Sequence, residues 1–217
     1  WRVAKVAVAN PSKMKTNKNA KNDRNDSLSL ALQLANGTLP TVWVPDHETR
    51  QDRELIRHRM NIVQEQTRIK NRIRASLAEH GMTWPGSDIH SAGAQLFLVK
   101  LGTRLPEVTR AILADQLERL NFLEIRLKRI EQVIEVRADR WPQLSLLMSI
   151  RGINVLTAFT ILATIGRVDR FPSADSLANY AGLVPREYSS GGKSRITKAG
   201  SKMLRWALTE AVQSLCR

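Results

Sequence analysis

Residues 106–140 read PEVTRAILADQLERLNFLEIRLKRIEQVIEVRADR, and their apolar positions dictate a long helix. Leu113, Leu120, Leu127 and Ile134 recur every seven residues, flanked by Leu117, Leu123 and Ile130. A seven-residue apolar repeat places one stripe of side chains along a helix and invites a partner helix onto it. Glu124 and Glu131 interrupt the second position of that seam. Two arrangements stay open: a hairpin against another segment or chain, and a dimeric coiled coil.

Outward from this stem, residues 49–80 form a second long helix by the same test. Leu55, Ile56, Ile62, Ile69, Ile73 and Leu77 fall at helical spacing, and the other face carries Arg50, Arg53, Arg57, Arg59, Arg68, Lys70, Arg72 and Arg74. Residues 81–91, with Pro85 and Gly86, make a turn or linker. Beyond Trp141-Pro142 come short helix candidates around 149–152, 154–166 and 173–181, a glycine-rich basic loop at 189–198, and a terminal helix from Ser201. Toward the N-terminus, residues 2–9 read as a strand stopped by Asn10-Pro11, and 12–22 as a basic loop with Lys13, Lys15, Lys18 and Lys21. A helix follows at 23–35, stopped by Asn36-Gly37, then a strand at 41–44 ended by Pro45. The fold is expected to be mainly α with a partial α/β region. Its expected domains are 1–80, a helical stem and linker at 81–143, and a small helical C-terminal domain at 144–217.

Composition narrows the partner. The 217 residues hold 34 Lys+Arg against 20 Asp+Glu, a net charge of +14, with 25% charged and 42% hydrophobic residues. That balance belongs to a globular protein attracted to a polyanion, chiefly DNA or RNA. The longest apolar run, 155–165, is broken by Thr157, Thr160 and Thr164 and falls short of the roughly 20 residues of a membrane span. The single cysteine, Cys216, excludes an internal disulfide and a Cys-rich zinc site, so a reducing cytoplasm is expected. His47, His58, His80 and His90 are dispersed without metal-ligand spacing. Residue 1 is Trp, with Val3, Val6 and Val8 close behind, and the chain is expected to begin inside a domain.

Three motifs carry candidate chemistry. Asp23 and Asp26, three residues apart at a helix start, share one face. They could hold Mg²⁺, which takes one or two carboxylates plus phosphate oxygens, or they could cap the helix and complement its dipole. Ser149-Ile-Arg-Gly152-Ile-Asn154 suggests a helix-hairpin-helix turn, whose second helix can offer N–H groups to a phosphate, or a plain glycine turn. Finally, Ser189-Ser190-Gly191-Gly192 sits among Lys193, Arg195 and Lys198. Such a serine could attack a phosphodiester while cations neutralise the phosphate, or the loop could only contact phosphates.

Two of these segments, in this order, resemble the DEDD/serine insertion-sequence transposases of the IS-one-ten family. The family pattern is Lys-Thr-Asp-Arg-x-Asp-Ala at a helix start, then Tyr-x-Gly-Leu-x-Pro, Ser-Gly, Ile-Thr-Lys-x-Gly and Leu-Arg. Here these are residues 21–27 and 180–205, preceded by Arg-Val-Asp-Arg-Phe at 167–171. Departures stand at Asn22 (usually Thr), Ser27 (usually Ala), Ser201 (usually Asn), and Arg151 and Asn154 of the hairpin. The resemblance implies a RuvC/ribonuclease-H-like domain with four acids holding Mg²⁺, and a C-terminal serine that links to DNA. It implies a structured guide RNA from the element and a homo-oligomer in a bacterial or archaeal cell.

Residue by residue, Asp23 and Asp26 match the last two acids and Ser190 the nucleophile, with Ser189 the second choice. The first Asp and the following Glu of the pattern are expected before Trp1, so the RuvC-like domain is expected to be incomplete and the 217 residues inactive alone. Expected nucleic-acid contacts are Lys15, Lys18, Lys21, Arg24, Arg68, Arg72, Lys193, Arg195, Lys198 and Arg205. Two other readings stand beside the recombinase. One is a non-catalytic helix-hairpin-helix module that binds nucleic acid. The other is a scaffold assembled through the stem.

Overall fold

A computed structural model describes residues 6–11, 14, 22–83, 100, 104–186, 195–196 and 200–216. The chain divides into two compact units, Trp1–Asp46 and His47–Arg217. In the first, β1 (Val8–Ala9) pairs antiparallel with β2 (Thr41–Val42), Val8 opposite Val42 and Ala9 opposite Thr41. The ladder continues for one bond, the Asn10 N–H donating to the Pro40 carbonyl at 2.7 Å. β2 is shorter than the run expected at 41–44; of the run expected at 2–9, residues 8–9 are strand and residues 2–5 lie outside the described residues. Between them lies α1 (Asp23–Ala35), with the bounds its sequence dictates. Asn22 caps its start, and Gly37 (φ 66°) takes the left-handed conformation just past its end.

The second unit is helical. Its elements are α2 (His47–Glu79), α3 (Glu107–Ala138), α4 (Leu144–Met148), α5 (Val155–Ile165) and α6 (Ala174–Ala181). These are followed by β3 (Pro185–Arg186), β4 (Arg195–Ile196) and α7 (Lys202–Leu215). The heptad seam of α3 finds its partner within the chain. Leu113 and Leu120 pack with Ile69, Ile73, Leu77 and Leu105, while Ile134 and Ala138 pack with Ile56, Phe159 and Ala163. The two seam acids are met by α2: Glu131 accepts from Arg59 Nε at 2.9 Å and Nη2 at 2.7 Å, and Glu124 accepts from Gln66 Nε2 at 3.0 Å. A carboxylate on an apolar seam is tolerated when its partner is built into the facing helix. At the far end of the pair, Arg137 on α3 bonds to buried Asp52 and to Glu48, and Trp141 Nε1 donates to Asp52 at 3.1 Å. Asp52 thus has both carboxylate oxygens engaged, and the Asp52 hydrogen bond raises the proton affinity of Arg137.

Helix α5 is the centre of the unit. Nine of its eleven residues are buried, the expected fate of a helix apolar on every side. Two of its three threonines are satisfied locally: the Thr160 hydroxyl donates to the Leu156 carbonyl at 2.7 Å, and Thr157 forms a capping box with Asn154. The short helix lies at 144–148, before the expected 149–152, which instead forms the turn. Gly152 explains this. Its φ is 90°, and a Cβ there would stand 2.5 Å from the Ala211 carbonyl oxygen of α7. The turn is pressed onto the α7 backbone, an approach that glycine alone allows.

Candidate functional site

The carboxylates of α1 are separated from its capping. Asn22, in extended conformation, accepts the Asn25 N–H at 2.7 Å, so the cap is the residue before Asp23. Asp23 and Asp26 are exposed in the first turn, and among the described residues neither carboxylate has a hydrogen-bond partner. They complement the positive end of the helix dipole and present two sets of oxygens on one face. Among the described residues no group of three or more His, Cys, Asp or Glu could hold a metal. Arg24 is exposed beside them. Lys15, Lys18 and Lys21 lie outside the described residues.

The arginine face expected on α2 divides in two. Arg68 and Arg72, with Arg50, Arg57 and Arg74, are exposed. Arg53 and Arg59 turn inward. Arg53 donates from Nε to the Ala163 carbonyl at 2.8 Å and from Nη2 to Thr164 at 2.6 Å, while Arg59 holds Glu131. These two are corrections to the outer-face assignment. The last carbonyls of any α-helix lack partners within it, and a buried helix end has no water to supply them. Arg53 fills that need for α5, joined by Arg170 Nε on the Ile165 carbonyl at 2.9 Å. Arg170 lies 4.2 Å from the Phe171 ring centre and 4.6 Å from that of Tyr180, within reach of cation–π attraction. Burial lowers the proton affinity of Arg53, and the neighbouring Tyr180 opposes this by charge and hydrogen bonding.

The C-terminal block folds around the same corner. Helix α6 ends in a Schellman motif: the Leu183 N–H donates to Ala178 and the Gly182 N–H to Asn179, each at 3.0 Å, with Gly182 left-handed at φ 71°. Gly200 then meets this turn from the other side. A Cβ on Gly200 would lie 2.5 Å from the Gly182 nitrogen and 2.7 Å from the Tyr180 carbonyl oxygen. The adjacent Ser201 N–H donates to that carbonyl at 2.8 Å, and Ser201 caps α7. Between the glycines, β3 and β4 pair antiparallel, Pro185 opposite Ile196 and Arg186 opposite Arg195, so part of the expected 189–198 loop is strand. Both ends of the segment carrying the serines are thereby tied. Ser189, Ser190, Lys193 and Lys198 lie outside the described residues, as does the side chain of Arg195.

Arg205 is half-buried, and its Nη1 donates to the Ala181 carbonyl at 3.1 Å, clamping the end of α6. Sequence reading missed three structural residues: Arg53, Gly200 and Arg59. Only the glycine left a trace, as part of the Lys-x-Gly pattern. Asn154 caps α5 and accepts the Thr157 N–H at 2.9 Å. Those first amide groups are thus partly spoken for in the hairpin turn that was a candidate phosphate contact.

A DEDD-type IS110 transposase model matches residues 2–82, and the model described as Transposase IS116/IS110/IS902 family matches residues 144–217. A Sinorhizobium fredii relative bearing the name transposase y4qE is 30% identical over 196 residues, 88% of this chain and 47% of its own. The transposase for insertion sequence element IS1111A of Coxiella burnetii is 29% identical over 211 residues, 92% of this chain and 56% of its own. The pilin gene-inverting protein of Moraxella bovis is 40% identical over 84 residues, 37% of this chain and 26% of its own. The chain spans about half the length of the first two relatives. No helix among the described residues is long and apolar enough to cross a membrane. The chain belongs to the IS116/IS110/IS902 family of transposases.

Proposed function

We propose that this chain is part of a DNA transposase or recombinase of an insertion sequence, cutting and rejoining strands through a serine nucleophile with Mg²⁺ assistance. The observation that carries the reading is the tied base of the serine segment. Gly182 and Gly200 meet backbone to backbone, and β3 pairs with β4, on either side of Ser190. A nucleophile held at a fixed base gains the advantage of orientation. The pilin gene-inverting protein, named for rearranging DNA, supports recombination as the reaction class.

Asp23 and Asp26 fit the oxygen chemistry of Mg²⁺ and would hold it with phosphate and water oxygens. When bound, Mg²⁺ supplies a Lewis acid that draws charge from a phosphoryl oxygen. Ser190 Oγ bonds to phosphorus, and the bridging oxygen of the cut strand leaves with the proton that serine gives up. Attack by a second strand's hydroxyl on the same phosphorus rejoins the DNA and returns a proton to Ser190. Lys193, Arg195 and Lys198 neutralise the non-bridging oxygens during both steps. Arg68 and Arg72 offer a surface for duplex DNA or a structured guide RNA, and a second copy of the chain completes the assembly in the cytoplasm.

The test is Ser190→Ala in the mobile element, scored by transposition frequency. The expected result is a fall to background, with Ser189→Ala close to wild type. Wild-type frequency in Ser190→Ala would overturn the nucleophile assignment. The hairpin between α4 and α5 favours one rival, a non-catalytic nucleic-acid module. That rival predicts strongly salt-dependent binding that is indifferent to Mg²⁺ and to Ser190→Ala.

A further inference from the structure

A cleft of about 260 Å³ opens between the hairpin turn and α7, lined by Arg59, Gly152, Asn154, Trp206, Glu210 and Gln213. We infer that it receives one unstacked nucleobase from a single-stranded stretch of DNA or RNA. This rests on the proposal that the chain works on nucleic acid and names a binding site for it away from the serine segment.

Two flat groups form part of the lining. The Arg59 guanidinium lies 5.7 Å from the Trp206 ring centre, and its two bonds to Glu131 hold it there. Aromatic rings and guanidinium planes are the surfaces on which proteins stack single-stranded bases. The turn opposite is rigid, because Gly152 is seated on the Ala211 carbonyl.

The polar lining selects against a phosphate. The Arg59 charge is already matched by Glu131, and Glu210 adds a negative charge to the lining. At the start of α5, Asn154 and Thr157 satisfy each other's backbone N–H groups at 2.9 Å, which leaves fewer amides there for an anion. The neutral polar groups are two side-chain amides: Asn154, whose oxygen is taken by Thr157 and whose amino group can donate, and Gln213, which can donate and accept, as a base edge requires. Arg151, exposed in the same turn, supplies a cation for a flanking phosphate.

The experiment titrates the 217-residue chain into short single strands carrying one 2-aminopurine, as DNA and as RNA, beside the matching duplex. Stacking on the cleft wall should quench the 2-aminopurine, and the tighter of the two single strands identifies the natural source. Trp206→Ala should weaken single-strand binding about tenfold or more, with Trp206→Phe retaining most of the affinity. The salt dependence and duplex affinity should hardly change. Trp206 also packs against the core beside Leu204, so exposed Gln213→Ala provides a variant that leaves the core intact. It should weaken single-strand binding several-fold with an unchanged melting temperature. Wild-type single-strand affinity in both Trp206→Ala and Gln213→Ala, without 2-aminopurine quenching, would overturn the base site. Equal losses for duplex and single strand would do the same. A chain that binds no nucleic acid at any salt would overturn the underlying reading as well.

Discussion

Helices α1 and α5 begin alike and end in opposite circumstances. Each is entered through an extended asparagine whose side chain accepts the N–H three residues on. Helix α1 buries none of its residues and exposes Leu28, Leu32 and Leu34, whereas α5 buries nine and has its final carbonyls held by arginines. Motif residues therefore mean different things in the two regions. On α1 the acids are exposed, and among the described residues neither carboxylate has a hydrogen-bond partner. Around α5 most of the motif is scaffold: Tyr180, Gly182, Gly200 and Arg205 hold one another and the base of the serine segment.

Substitutions can break this contrast, and the largest effect is expected at the buried centre. Phe159 is fully buried against Ile56, Ile134 and Ala163. Phe159→Ala should cost about 3–5 kcal/mol in denaturant unfolding. A loss below about 1 kcal/mol would mean that α5 is not the packed core of this unit. Arg53→Ala comes next, because it strips partners from the buried Ala163 and Thr164 carbonyls, each worth about 1–3 kcal/mol when orphaned. Arg53→Lys should recover only part, since an ammonium lacks the fork that reaches two carbonyls. Equal stability for the two variants would show that charge, and not the two-carbonyl fit, is what matters there.

Gly200→Ala should cost about 1–3 kcal/mol, because its Cβ would meet backbone at 2.5 Å and cannot be relieved by a side-chain rotation. It also separates scaffold from chemistry. The variant should lose recombination in proportion to the displaced base, at temperatures where circular dichroism still reports a folded chain. Full activity would show that the glycine clasp does not set the serine's position.

Sequence made the helices legible for local reasons. The bounds of α1 follow from Asn22 and Gly37, and α3 from its heptads, because caps and periodicity are properties of a few adjacent residues. The arginines of α2 were not legible. Arg53 and Arg59 sit among six neighbours of like charge, and only the position of α5 and Glu131 decides which turn inward. Gly200 against Gly182 is a contact between distant parts of the chain, invisible until both turns exist. The acid pair was legible as a pattern, yet its two readings differ only in whether a neighbour supplies the cap, and Asn22 does.

That distinction yields the smallest expected change in stability and the sharpest test of α1. Asn22→Ala removes the cap and should cost about 0.5–2 kcal/mol, read as lost helix in the first compact unit. Asp23→Asn with Asp26→Asn leaves Asn22 in place and forfeits only the dipole interaction of two exposed carboxylates, about 0.3–1 kcal/mol each at low salt and less as salt is raised. If those acids serve metal-assisted chemistry, the double variant should abolish transposition while its unfolding curve barely moves. Asn22→Ala should do the reverse, lowering stability and sparing activity wherever the helix is still formed. A double variant that loses stability like Asn22→Ala and keeps its activity would return both acids to the fold and remove α1 from the chemistry.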